Sequence, residues 1–154
     1  MKVLDLFCGG GGASEGLRQA GIASTLAIDN WKAALETHAV NHPNTEHLKA
    51  DLGVIDPSTL GRFDFIWGSP PCPEFSTGKT NRNPRVGLIL VKKFIEIVEE
   101  VKPRAWVMEN VPGIRKWLPK VPFATKLDAA DYGVPQNRPR VFAGQFIVPL
   151  ATNA

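Results

Sequence analysis

Three observations predict an α/β fold with a mostly parallel sheet and helices on both faces. Short apolar runs of strand type alternate with segments of helical periodicity along the chain. Four glycines follow the first apolar run at once, as a strand-to-helix turn. Acidic or reactive residues stand at or just past successive predicted strand ends. In an open α/β sheet such ends gather at one rim, where ligands bind.

The elements follow in order. Val3-Leu4-Asp5-Leu6-Phe7 is a short buried strand running into Gly9-Gly10-Gly11-Gly12. Ala13 to Ala20 fits one short helix, which Gly21 ends. Ser24 to Ile28 is a second strand, ending at Asp29, and Trp31 to Asn41 has helical spacing until Pro43 stops it. Glu46 to Lys49 is a third strand, followed by Asp51. Phe63 to Trp67 is a fourth, ending in Gly68-Ser69-Pro70-Pro71-Cys72. Pro73 to Pro84 is polar and reads as a loop. Val86 to Val101 is the longest helix, bounded by Pro103. Ala105 to Met108 is a fifth strand, leading into Glu109-Asn110. Residues 111–123 hold three prolines and little periodicity, and Val141 to Val148 is a final strand. Asp29, Asp51, Cys72 and Glu109 are therefore expected on one rim.

Composition narrows the class. The 154 residues are 44% hydrophobic and 21% charged, which fits a single domain over 1–154 with a real core and excludes collagen-like, coiled-coil and wholly disordered chains. No run of ~18 apolar residues exists to span a membrane. The N-terminus lacks the apolar stretch of a signal peptide, so an intracellular, cytoplasmic protein is expected. Two cysteines make neither a disulfide framework nor a four-ligand zinc site, and no metal site is expected. Residues 1–76 carry 5 Lys/Arg against 9 Asp/Glu, whereas residues 77–154 carry 13 against 6. The basic C-terminal half suggests a polyanionic partner, although a solvated face with clustered charge is the plainer alternative.

The glycine run departs from the dinucleotide fingerprint, because Ser14 stands where its third glycine belongs. No Lys-Ser/Thr follows, as a nucleoside-triphosphate loop would need. A nucleoside cofactor without a pyrophosphate fits better, with Asp29 placed for ribose hydroxyls; a tight turn without ligand is the alternative. Pro70-Pro71 fixes the backbone ahead of Cys72. A cysteine there is a candidate nucleophile, or a small buried thiol. His38, His42 and His47 all lie in or just after the second helix, so no histidine base is evident.

Four motifs occur in a fixed order: Asp5-Leu6-Phe7-Cys8-Gly9-Gly10-Gly11-Gly12, Gly68-Ser69-Pro70-Pro71-Cys72, Glu109-Asn110-Val111 and Gln136-Asn137-Arg138-Pro139-Arg140. The set resembles the first, fourth, sixth and eighth motifs of the cytosine carbon-5 DNA methyltransferase family, over nearly the whole chain. The resemblance implies the Rossmann-like, S-adenosylmethionine-dependent methyltransferase fold, S-adenosyl-L-methionine as cofactor, and methyl transfer to carbon 5 of cytosine in DNA through a covalent Cys72 adduct. It implies a prokaryotic or phage-like setting of the restriction-modification kind. Phe7, Cys8, Gly9 and Gly11 would face the methionine part of the cofactor. Asp29 would take the ribose, and Asn30 or Trp31 would stack on the adenine. Asp51 and Leu52 would read the adenine edge, with Pro70 and Leu88 also at the cofactor. Cys72 would be the nucleophile and Glu109 the acid at the target ring. Arg138 and Arg140 would help position the cytosine, and Pro71, Ser76, Arg85 and Asn110 would contact substrate.

The family chemistry agrees with these residue types. Carbon 5 of cytosine is a poor nucleophile until a thiolate adds at carbon 6. A carboxylic acid can protonate N3 as charge develops there, and an arginine at O2 adds electrostatic stabilisation. The base must be flipped out or already single-stranded.

Departures from the family pattern are Pro73 in place of Gln after the cysteine, Asn30 at the stacking position, and little room for the usual extra helix before Asp131-Tyr132-Gly133. The chain is expected to be a short form truncated at the C-terminus, without a target-recognition domain. DNA contact would then rest on Lys79, Arg82, Arg85, Arg115, Lys116 and Lys120, which suit phosphates rather than base edges. A second protein chain could supply recognition. Two other readings stay open: a non-catalytic or split-enzyme subunit, and an RNA cytosine methyltransferase.

Overall fold

The computed structural model describes residues 1–71, 74 and 83–152. Its seven strands are β1 (Val3–Leu6), β2 (Leu26–Asp29), β3 (Glu46–Lys49), β4 (Phe65–Gly68), β5 (Ala105–Asn110), β6 (Phe123–Asp128) and β7 (Pro139–Gln145). Among the described residues, four helices join them: α1 (Gly12–Gln19), α2 (Lys32–Asn41), α3 (Pro84–Gly87) and α4 (Ile89–Val101). The strands form one sheet in the order β3-β2-β1-β4-β5-β7-β6. The first five strands in this order run parallel, and β7 is antiparallel to both of its neighbours.

The inner parallel strands β1, β2, β4 and β5 are largely buried because helices cover both faces, whereas the edge strand β3 is mostly exposed. Side chains alternate along β1, and each parity meets a different layer. Leu4 and Leu6 join Ile28 and Ile66 in the main core, against Val91, Phe94, Ile97 and Val101 of α4. Asp5 and Ala27, paired in register, face the other way. There Asp5 accepts a hydrogen bond from Ser14 of α1, while Ala27 packs with Leu35 of α2 and Cys8. Gly68 ends β4 where the Phe94 ring fills the space a side chain would need.

Register aligns the functional rim. Leu6 lies beside Ile28 and Gly68, and Gly68 beside Met108. The segments Phe7 to Gly11, Asn30-Trp31 and Ser69 to Pro71 therefore leave the sheet at one rim, where Asp29 ends β2 and Glu109-Asn110 end β5.

Three sequence expectations need correction. Phe123–Asp128 is a strand that the sequence reading does not assign, beginning where the proline-rich stretch 111–123 ends. It sits at the sheet edge, where half-exposed side chains blunt the apolar pattern. The last strand runs Pro139–Gln145 rather than to Val148, and Ile147 beyond it is 93% exposed. The expected helix Val86 to Val101 is two pieces separated at Leu88, just after Gly87, a residue of low helix propensity.

Candidate active site

The glycine turn opens with Phe7 at φ 57, an uncommon left-handed conformation for a residue with a side chain. Cys8 N–H then donates to the Ile28 carbonyl, and Gly11 N–H to the Cys8 carbonyl. Burial, reinforced by the carboxylates of Asp5 and Asp29, pushes the Cys8 thiol far up. Cys8 thus stays protonated and packs with Ala27 and Leu35, unsuited to nucleophilic work. Gly11, at φ 98, begins α1, and a Cβ there would come 2.9 Å from the His42 ring.

Asp29 ties this turn to the start of α2. Its Oδ2 accepts from Gly9 N–H and its Oδ1 from Trp31 N–H, each at 2.9 Å. Both oxygens keep lone pairs free for further donors. Asp29 borders a cleft of about 250 Å³ with Phe7, Asn30, Trp31, Asp51, Leu52 and Pro71, all predicted site residues. Ala50, Ser69 and Leu90 complete it. Trp31 is 68% exposed at this cleft, and Leu52 is buried in the core behind it. The Asp51 Oδ1 accepts from Gly53 N–H at 2.8 Å. Cys8, Gly9, Gly11, Pro70 and Leu88 do not line the cleft. Leu88 packs on the core, while Leu90, two positions on, faces the cleft instead.

A second cavity, of about 700 Å³, lies across β4, β5 and β7 next to α1. Trp67, Val107, Phe142 and Leu127 give it apolar walls, and Glu109, Asp128, Arg138 and Arg140 supply its charge. Glu109 is directly opposite Phe142 in register, with Arg140 two residues along β7 on the same face. The Arg140 Nε lies 2.8 Å from the Glu109 Oε1, both side chains about four-fifths buried. Arg138 stands at the mouth, its backbone N–H held by the Asp128 carboxylate at 2.8 Å.

The two cavities share Ser69, whose N–H donates to the Leu6 carbonyl and whose hydroxyl accepts from the Trp67 indole at 3.2 Å. Immediately beyond lies Pro70, whose carbonyl accepts from the buried Asn110 Nδ2 at 2.9 Å. Asn110 Oδ1 accepts from Val111 N–H. The Asn110 side chain is thus engaged in clamping the ends of β4 and β5 together. Arg85 is exposed on α3 and lines neither cavity. Cys72 and Ser76, like Lys79 and Arg82, lie outside the described residues. Arg115 and Lys116 are exposed on a 3-10 turn over Pro112–Trp117. Among the described residues, no group of three or more His, Cys, Asp or Glu could hold a metal ion, and no helix is long and apolar enough to cross a membrane.

The motif reading missed Ser69, Leu90, Trp67 and Phe142. Strand parity could have found Trp67 and Phe142, which share a face with Val107 and Glu109.

A family model of C-5 cytosine-specific DNA methylases matches residues 1–119, and the chain belongs to that family. It is 35% identical over 165 residues to the Type II methyltransferase M.AgeI of Thalassovita gelatinovora, covering 92% of this chain and 38% of that one. It is 30% identical over 178 residues to the Type II methyltransferase M.AquIA of Picosynechococcus sp., covering 92% of this chain and 70% of the relative. Among solved structures it is similar to a prophage-encoded E. coli protein described as a DNA modification methyltransferase, with TM-score 0.79 and 30% identity over 94% of this chain and 46% of that one. The fold is thus the Rossmann-like methyltransferase fold. The chain spans less than half the length of M.AgeI and of the prophage protein.

Proposed function

We propose that this chain is the catalytic region of an S-adenosylmethionine-dependent methyltransferase acting on carbon 5 of cytosine in DNA. The observation that carries the reading is the pair of cavities meeting at Ser69, directly before the Pro-Pro-Cys segment. One is a narrow cleft ending in carboxylates, and the other a wider cavity holding two acids and two arginines.

The cleft suits the cofactor by its donor set. Asp29 offers acceptors for ribose hydroxyls, Trp31 an exposed aromatic face for adenine, and Asp51 an acceptor for an amino group, with Phe7, Leu52 and Leu90 as apolar walls. When bound, S-adenosylmethionine supplies a methyl sulfonium as the electrophile for carbon 5.

The wider cavity suits a flipped cytosine. Trp67 and Phe142, with ring centroids 6.1 Å apart, offer aromatic edges and faces to a planar ring. The Cys72 sulfur, as thiolate, bonds to carbon 6, and the displaced electron pair moves toward N3. Displaced from Arg140 by the incoming base, Glu109 takes up a proton from solvent and passes it to N3, which leaves an enamine with an electron-rich carbon 5. Arg138 and Arg140 stabilise the charge on the pyrimidine oxygen. After methylation, the carbon-5 proton passes to water, N3 returns its proton to the Glu109 carboxylate, and expulsion of the Cys72 sulfur as thiolate restores the aromatic ring. In the free protein Arg140 pairs with Glu109, so the incoming base takes over contacts that this pair makes with itself.

The test is methyl transfer from labelled cofactor onto duplex DNA, single-stranded DNA and transfer RNA in parallel. Label in cytosine of either DNA supports the reading. Label in transfer RNA alone replaces the substrate, and label in none removes the activity from this chain.

A further inference from the structure

Beneath the glycine turn lies a buried polar chain that the methyl-transfer chemistry does not use. Asp5 on β1 and His38 on α2 are both fully buried. Between them the Ser14 hydroxyl of α1 sits 2.6 Å from the Asp5 Oδ2, 2.7 Å from the Ser24 hydroxyl and 3.0 Å from the His38 Nε2. The His38 Nδ1 lies 2.8 Å from the His47 Nε2 on β3. The chain therefore links β1, α1, α2 and β3.

Its protons can be counted. Ser14 has one hydrogen, and it goes to Asp5 whenever that side chain is an ionised carboxylate, which only accepts. The Nε2 of His38 must then donate to Ser14. One proton can lie on the axis between His38 and His47, from either side. A second would set N–H against N–H across 2.8 Å and break the link.

This chain bears directly on the glycine turn. Asp5 precedes Phe7 by two residues, and Ser14 lies in the first turn of α1, just past Gly11. Gly11 itself lies on the histidines: a Cβ there would come 2.9 Å from His42 and 3.2 Å from His38. The titratable groups facing the two rings are Asp5 from β1 and His42 after α2. α1 adds Ser14 against His38 and the exposed Glu15, whose charge is felt by His42.

We propose that the Asp5-Ser14-His38-His47 chain positions the glycine turn, and that double protonation of its two histidines releases the turn and weakens the cofactor cleft beside it. The cofactor consequence rests on the function proposed above. Burial, then the charges of His38 and His42, lowers the affinity of His47 for a proton. His47 therefore takes up its proton only in acid, below the ordinary histidine range.

The test follows backbone amide NMR shifts of Gly9 to Gly12 in the free protein from pH 7.5 to 5.0, with calorimetric S-adenosylmethionine affinity over the same range. His47→Gln, on the part-exposed edge strand, keeps a polar partner for His38 but cannot charge. In the wild type the turn amides are expected to move with the His47 ring titration, and affinity to fall roughly ten-fold, the scale of one lost hydrogen bond. His47→Gln should flatten both profiles. Turn amides that stay still while His47 titrates, or a His47→Gln profile like the wild type, overturn the proposal. A protein whose turn titrates as described but binds no cofactor at pH 7.5 supports the positioning role and refutes the cofactor assignment instead.

Discussion

Removing the Asp29 carboxylate tests whether the turn and the cleft act as one unit. In Asp29→Ala, two charge-assisted hydrogen bonds to backbone N–H groups are lost, both 2.9 Å long. Bonds to charged groups contribute about 1.5–3 kcal/mol each. The Trp31 bond is exposed, so water replaces it at little cost, whereas the Gly9 bond is partly buried. The expected loss of folding stability is therefore about 1–2 kcal/mol, one discounted bond rather than two. Cofactor binding should suffer more, because the ribose loses an acceptor and the turn loses its anchor. A decrease of about 1.4–2.8 kcal/mol corresponds to roughly 10–100-fold weaker affinity. Asp29→Asn, which keeps one neutral acceptor oxygen, should fall between the two. Urea unfolding measures the first quantity and calorimetry at pH 7.5 the second. An Asp29→Ala protein that binds S-adenosylmethionine as tightly as the wild type would refute the reasoning, since the cleft would then owe nothing to this carboxylate.

Other outcomes are expected on the same grounds. Glu109→Gln should lower single-turnover methyl transfer by roughly 10²–10⁴, the usual worth of a positioned acid, with cofactor affinity unchanged because Glu109 lies across Ser69 from the cleft; weakened cofactor binding would contradict the division into two cavities. Gly68→Ala pushes a methyl group into the Phe94 ring and should cost about 1–3 kcal/mol in urea unfolding. Lys102→Gly should raise stability by about 0.5–1 kcal/mol, because Lys102 ends α4 at φ 52, where a side chain is strained, less the backbone entropy that glycine adds to the unfolded chain. Because the proton affinity of His47 is lowered on folding, its contribution to stability is complete above pH 6.5 and lost as pH falls through its folded value. An unfolding series at pH 7.5, 6.5 and 5.5 should therefore weaken monotonically, and less so in His47→Gln.

The parallel half of the sheet was legible because both faces are covered, so β1, β2 and β4 carry apolar residues bounded by glycine, proline or acid. The antiparallel edge was not. Phe123-Ala124-Thr125-Lys126 alternates too weakly to stand out after two prolines, and Ile147-Val148 extends the apolar run beyond the last hydrogen-bonded residue. In the site, motif spacing singled out Asp29, Glu109 and Arg140 because each is anchored at a strand end or in a strand of known register. It could not separate Leu88 from Leu90, since which of them faces the cleft depends on where α3 breaks from α4. Asn110 was read as a substrate contact, but its amide is engaged with Pro70 and Val111, a pairing across β4 and β5 that no local pattern encodes. The histidine chain was invisible for the same reason. Asp5, Ser14, His38 and His47 come from four elements and meet only through the sheet order.

The most direct measurement traps the covalent step. Duplex DNA carrying 5-fluorocytosine is incubated with the protein and S-adenosylmethionine, and the adduct is mapped by peptide mass spectrometry. The expected result is a DNA-linked peptide carrying Cys72, absent in Cys72→Ser and absent without cofactor. An adduct on Cys8, or none from a protein that binds both cofactor and DNA, would contradict the assignment of Cys72 as the nucleophile.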